Sequence, residues 1–200
     1  MKKSTLCCGL LALAGAAFFV GEAEAVKYLD ERFDGAFPPP GWSLQVGTLS
    51  GWKLEADGPW GNYAYGWAGV RGTMGSTAVL DSKPINVPVG RRLYYNFRAL
   101  IDCLMSINVR WKFYLLYDGT EEPLEYVEWS NPFNPPEWRC IEGSVVVAKA
   151  KPVFARFLIE AWGNTIQSHG VFRVDTVQLT DEDFSVVAPA SLGRVKGLFR

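Results

Sequence analysis

"LMSINVRWKFYLLYD", residues 104–118, alternates with a period of two. Met105, Ile107, Val109, Trp111, Phe113, Leu115 and Tyr117 fall on one side. Ser106, Asn108, Arg110 and Lys112 fall on the other, which turns apolar at Tyr114 and Leu116. Successive side chains of an extended chain point to opposite sides, so this pattern predicts a long strand with one side in a core. Upstream, "RRLYYNFRALI" (91–101) repeats it through Leu93, Tyr95, Phe97, Ala99 and Ile101. Downstream, "PVFARFLIEAW" (152–162) and "GVFRVDTVQLT" (170–180) are rich in β-branched and aromatic residues and are bounded by Pro, Gly and Asn. Asp118-Gly119 suits a tight hairpin turn. "SNPFNPPE" (130–137) is a proline-rich loop that cannot join a central strand. No helical pattern appears within residues 26–180. Many strands with short turns and a few long loops predict an all-β fold, an antiparallel β-sandwich.

The two ends differ from this middle. Lys2 and Lys3 precede an apolar run, Leu6–Val20, and then Ala23-Glu24-Ala25. A basic start, a short apolar run and a small-x-small site describe a secretory signal peptide cleaved near Ala25, not a transmembrane helix. Cys7 and Cys8 lie in this segment, at the front of the run, where a lipoprotein cysteine does not sit. The domain is expected over 26–180. From Asp181, "DEDFSVVAPASLGRVKGLFR" starts acidic and ends basic and apolar, with Leu192, Val195 and Phe199 at helical spacing. Residues 181–200 read as a tail outside the domain.

Formal net charge is −1, and removing the signal segment leaves it unchanged because Lys2, Lys3, Glu22 and Glu24 cancel. No basic excess points to nucleic acid. After residue 25 no run is long and apolar enough to span a membrane. The chain is expected to be secreted or at the cell surface. Export into an oxidising compartment with two remaining cysteines predicts a Cys103–Cys140 disulfide, with two buried thiols as the alternative.

"FDGAFPPPGW" (33–42) supplies an acid after Phe33, then three prolines and Gly41-Trp42, with Trp52 ten residues further on. With "STAVLDSKPINVPVGRRLYYNFRAL" (76–100) and the closing "GVFRVDTVQLT", this resembles secreted bacterial domains of the choice-of-anchor J and cleaved-adhesin type, relatives of the MAM domain. The resemblance covers residues 28–180. It implies a sandwich of jelly-roll type, a loose association with adhesion or glycan contact, and calcium as a structural cofactor. It locates the metal between the first and last strands, at Asp34 and Asp175, with Glu31 assisting. The family usually carries two adjacent aspartates in its last strand, whereas this chain has Val174-Asp175-Thr176. The residues themselves support a structural motif. Three prolines hold an extended crossing between sheets, and Trp42 is expected in the core.

Catalytic chemistry finds little support. His169 is the single histidine. Ser168 beside it points the opposite way on a strand, no nucleophile-elbow pattern surrounds it, and a polar turn before the last strand is the plainer reading. Glu121, Glu122, Glu125 and Glu128 form the densest acidic group. Glu125 and Glu128 fall on opposite faces of a strand and cannot act as a same-strand pair. One histidine and two separated cysteines make no zinc pattern.

"DGPWGNYAYGWAG" (57–69) is the most informative loop of this reading. Four glycines separate Trp60, Tyr63, Tyr65 and Trp67, and Asn62 and Asp57 could supply polar contacts. Sugars stack on such rings through their C–H surfaces. The alternative is that the rings cover one end of the sandwich. The expected function is a non-enzymatic binding or adhesion module whose partner is a glycan or a surface protein. A structural envelope protein and a glycan-active hydrolase or lyase are the other classes.

Overall fold

The computed structural model describes residues 26–104, 108–120, 122–163 and 165–183, with side chains throughout except at 57, 104 and 165–168. The expected signal peptide and all of the expected 181–200 tail except 181–183 lie outside the described residues, and Asp181 exchanges hydrogen bonds with Val26. Within them there are eleven strands and no helix. They are β1 (Lys27–Glu31), β2 (Ser43–Gln45), β3 (Ser50–Gly58), β4 (Gly61–Gly72), β5 (Ser76–Asp81), β6 (Arg92–Leu104), β7 (Asn108–Tyr117), β8 (Pro123–Trp129), β9 (Arg139–Val146), β10 (Val153–Trp162) and β11 (Thr165–Thr180). They form two antiparallel sheets. The first runs β3-β4-β11-β6-β9, with β1 also on β11, and the second runs β2-β5-β10-β7-β8. This is the expected antiparallel β-sandwich.

The alternating residues of the sequence face each other across the sandwich. Leu93, Tyr95, Phe97, Ala99 and Ile101 of β6 are buried against Val109, Trp111, Phe113, Leu115 and Tyr117 of β7. The Phe97 ring lies 4.6 Å from Phe113 and 5.1 Å from Phe157. Each fully buried large apolar side chain contributes about 1.5–3 kcal/mol. Trp111 also ties the layers together, because its indole N–H donates to the Val171 carbonyl on the other sheet at 2.8 Å.

The proline crossing packs as expected. Trp42 is buried and meets Phe33 edge-on at 5.5 Å. Phe33 is 1% exposed and holds φ at 56°. That left-handed conformation is unfavourable for a bulky residue. The Glu31 carboxylate supports it by accepting the Phe33 N–H at 2.7 Å.

β11 serves two neighbours in succession along one edge. β4 pairs with it as far as Val174, and β1 takes over at Val177. Between them the pairing with β6 shifts register, and Thr176 adopts φ 52°. Asp175 sits at this bulge.

The disulfide expectation is corrected. Cys140 pairs with Arg98 in register and bonds Asn96 on the outer side of the first sheet. Cys103 lies five residues further along β6, at the core-facing parity, and packs against the core. Five residues of strand span about 16 Å, whereas bridged Cα atoms lie within about 7 Å. The two thiols are on opposite faces and are not bridged to each other.

Candidate functional site

The aromatic segment is not a loop. Residues 57–69 fold into the β3–β4 hairpin, with Pro59-Trp60 as its turn. The large-small alternation of "YAYGWAG" is strand periodicity. Ala64, Gly66 and Ala68 point inward and are buried, so Tyr63, Tyr65 and Trp67 point outward. Small residues are required inside because Trp52 of β3 packs there. A methyl group on Gly66 would lie 2.8 Å from the Trp52 ring. The mirror arrangement holds outside, where a methyl group on Gly51 would lie 2.7 Å from the Trp67 ring. The register pairs Gly51 with Trp67 and Trp52 with Gly66. Each glycine seats the indole opposite it, one on each side of the hairpin.

More groups join the outward rings. Trp60, 51% exposed at the turn, meets Trp138 edge-on at 5.8 Å, and Trp138 meets Tyr63 at 5.5 Å. Tyr65 and Trp67 are neighbours at 6.1 Å. Cations sit among them. The Arg98 guanidinium lies 3.8 Å from the centre of the Trp60 ring. Lys53 and Arg173 lie 5.1 and 5.5 Å from the centre of Tyr65. Partial burial pushes the Tyr65 hydroxyl above its usual range, opposed by Arg173 and Lys53, so it remains a neutral donor and acceptor at neutral pH.

Trp138 arrives by way of the proline-rich loop that leads from β8 to β9. Phe133 anchors that loop, being buried, with its N–H on the Ile101 carbonyl at 3.3 Å and Arg139 over its ring at 4.3 Å. β9 then starts at Arg139, so Trp138 lands beside the hairpin tip. Four of the five expected ligand-binding residues, Trp60, Tyr63, Tyr65 and Trp67, thus lie on one outer surface. Asn62 has the opposite parity to the rings, and the Asp57 side chain lies outside those described. Trp138, Arg98 and Arg173 were not anticipated. No local signal singles them out, because each is placed by pairing with a distant strand.

Two of the three expected metal ligands approach each other. Asp175 is 3% exposed, and burial raises its pKa, with the Asp34 charge pushing the same way. Arg98 and hydrogen bonds from Thr176 oppose this. Asp34 lies by the hairpin tip, since a methyl group on Gly61 would meet its carboxylate oxygen at 3.5 Å. Glu31 is committed to the Phe33 N–H. Among the described residues no three acidic, histidine or cysteine side chains gather as a metal-holding group. Calcium takes six to eight oxygens. Of the expected side-chain ligands, Asp34 and Asp175 are near each other, with Arg98 opposite Asp175, and further oxygens for an ion would have to come from backbone carbonyls.

The outer side of the second sheet is built differently. Lys112 bonds Glu160 at 2.7 Å, Arg110 lies 3.4 Å from Glu128 and 3.9 Å from Glu160, and Arg156 holds Asp81 through two bonds of 2.8 and 2.9 Å. A groove at its edge is lined by Gly75, Ser76, Thr77, Arg110, Glu160 and Trp162, and its charges belong to this lattice. Glu128 is held by Arg110 and by the Tyr126 hydroxyl. His169 and Asp175 stand six residues apart on one strand, about 20 Å, and form no catalytic pair.

No family model matches the chain, and no curated protein matches it. Solved structures resemble its fold. The K3 cleaved adhesin domain of Lys-gingipain from Porphyromonas gingivalis is 12% identical with a TM-score of 0.50, over 78% of this chain and 98% of that domain. A family 61 carbohydrate-binding module, TmCBM61, in complex with β-1,4-galactotriose is 15% identical with a TM-score of 0.47, over 77% and 97%. The C-terminal family 22 carbohydrate-binding module of Clostridium thermocellum Xyn10B is 11% identical with a TM-score of 0.48, over 76% and 92%. At these identities the likeness concerns the fold.

Proposed function

We propose that the chain is a secreted or surface-exposed, non-enzymatic binding module that takes a glycan on the outer face of its first sheet. The observation that carries this reading is the seating of Trp67 on Gly51, continued by Tyr65, Tyr63, Trp138 and Trp60. Stability asks only that an outward sheet face be soluble. Here a glycine is given up so that an indole can sit outside the core. Ring faces accept the C–H surfaces of pyranoses, and the tyrosine hydroxyls and arginine edges meet their hydroxyl groups. No helix among the described residues is long and apolar enough to cross a membrane. The surface location therefore rests on the signal segment read from the sequence.

An enzyme reading finds less support. Of the acids beside the rings, Glu55 is engaged by Lys53, and Asp175, with Asp34 near it, is desolvated at a backbone bulge. A glycan array with the purified protein tests the proposal. The expected result is capture of a glycan, with about tenfold weaker binding by Trp60→Ala and by Trp67→Ala at nearly unchanged unfolding midpoints. Failure to capture any glycan, or severe destabilisation by both substitutions, overturns it.

A further inference from the structure

Resting on that reading, we infer that the glycan bound by this face is acidic, bearing a carboxylate or a sulfate, and that Arg98 and Arg173 read its charge. Among the described residues five arginines lie over rings; Arg139 covers the buried Phe133 and pairs with Glu137, and the other four lie on the two outer faces and divide by face. On the second sheet Arg110 stacks on Trp162 at 4.8 Å and Arg156 on Phe154 at 5.5 Å, and each also holds a carboxylate. On the first sheet Arg98 stacks on Trp60 and Arg173 on Tyr65. Neither makes an ion pair or a side-chain hydrogen bond among the described residues.

The acids nearby do not close these two arginines. Asp175 faces Arg98 across the strands and is felt by it electrostatically, yet it takes its hydrogen bonds from Thr176. Asp34 acts on Asp175 from the hairpin tip. Glu55 is engaged by Lys53.

Stacking uses the flat face of a guanidinium and leaves the N–H donors along its edge. Those donors form a planar fork that matches a carboxylate or a sulfate two bonds at a time. Arg98 lies opposite Asp175 and Arg173 opposite Leu100, so the two arginines are diagonal neighbours on adjacent strands. That places their Cα atoms roughly 8 Å apart, within the span of a disaccharide. A sugar stacked on Trp60 or Tyr65 would carry its ring substituents over these edges.

The test compares binding of polygalacturonate, a sulfated galactan and a neutral β-1,4-galactan by isothermal titration, at low and high salt. The expected result is at least tenfold tighter binding of one acidic polymer than of the neutral one, weakening as salt rises. The acidic arm that binds identifies the group as uronate or sulfate ester. Arg173→Gln and Arg98→Gln should each cut the acidic-to-neutral ratio about tenfold. Arg173→Lys keeps the charge without the fork and should fall between. Arg110→Gln, on the opposite face, should leave the ratio unchanged. Circular dichroism melts of every variant separate a lost fold from a lost contact. Equal or tighter binding of the neutral galactan, or an unchanged ratio in folded R98Q and R173Q, overturns the acidic class and leaves the glycan reading standing. Binding of none of the three polymers overturns the inference, and a blank glycan array overturns the reading beneath it.

Discussion

The two outer faces of the sandwich share one core and treat their arginines in opposite ways. On the second sheet Arg110, Lys112 and Arg156 are each closed by a carboxylate. On the first, Arg98 and Arg173 lie on Trp60 and Tyr65 without one. Both arrangements keep a β-surface soluble, so solubility does not explain the difference. A closed charge lattice has little left to offer a partner, because its donors and acceptors are already used. A face of rings and open guanidinium edges keeps its bonding capacity, and this separates a finished surface from an available one.

The largest effect that can break this comparison lies within a single hairpin. Trp52 and Trp67 are mirror images across it, each opposite a glycine, one inside and one outside. Trp52→Ala should cost about 3–5 kcal/mol in urea denaturation, as a core ring does. The Trp52 indole N–H is buried without a hydrogen-bond partner among the described residues, so Trp52→Phe should be tolerated far better. Trp67→Ala should cost less than about 1.5 kcal/mol. Equal costs for the two alanine variants would make the outer ring a core ring and erase the distinction between the faces.

Arginine substitutions come next. Arg156 and Asp81 form a two-bond pair that is mostly shielded from solvent. Arg156→Ala should cost about 2–3 kcal/mol, since it leaves a carboxylate poorly solvated. Arg173→Ala should change stability by less than about 0.5 kcal/mol. Matching losses in thermal melts would mean that the cation on the aromatic face is structural after all. Trp60→Ala should follow, with about 1–2 kcal/mol lost from glycan binding and little from folding.

The smallest effect concerns Asp175. Burial holds its pKa above the ordinary aspartate value. Such a carboxyl takes up its proton more readily in the folded state. The cost of its charge is therefore fully present above the folded pKa and is relieved as pH falls through it. Asp175→Asn should be slightly more stable than the parent at neutral pH, and its lead should vanish in acid below the ordinary aspartate range. The same variant tests calcium. With two carboxylates beside an arginine, a chelator should leave the melting temperature within about 1 °C. A fall of several degrees, together with destabilisation by Asp175→Asn, would place an ion there.

Wherever strand alternation was strong, the fold was legible. Val109 to Tyr117 and Leu93 to Ile101 carry their burial openly in the sequence. In sequence the hairpin resembles a loop because its glycines suggest turns. Gly51 and Gly66 are instead seats for tryptophans, a role that exists only once the cross-strand register is fixed. The rings could be found from their spacing. Trp138 and Arg98 could not, because each reaches the site through pairing with residues far away in the chain. The disulfide failed for a related reason, since a cysteine count carries no information about which side of a sheet each thiol occupies.

The long last strand, shared by β4 and β1, also determines when the domain can form. Lys27 pairs with Thr180, and the Val26 N–H reaches the Asp181 carboxylate at 2.8 Å. Among the described strands, the central strand of the first sheet is thus the last in the chain, and the first strand has to wait for it. Contacts so distant in sequence make for slow folding. A chain emerging from its N-terminal side holds the apolar edges of β1, β4 and β6 open until residue 180 has appeared, so the first sheet closes only when the whole of β11 is available.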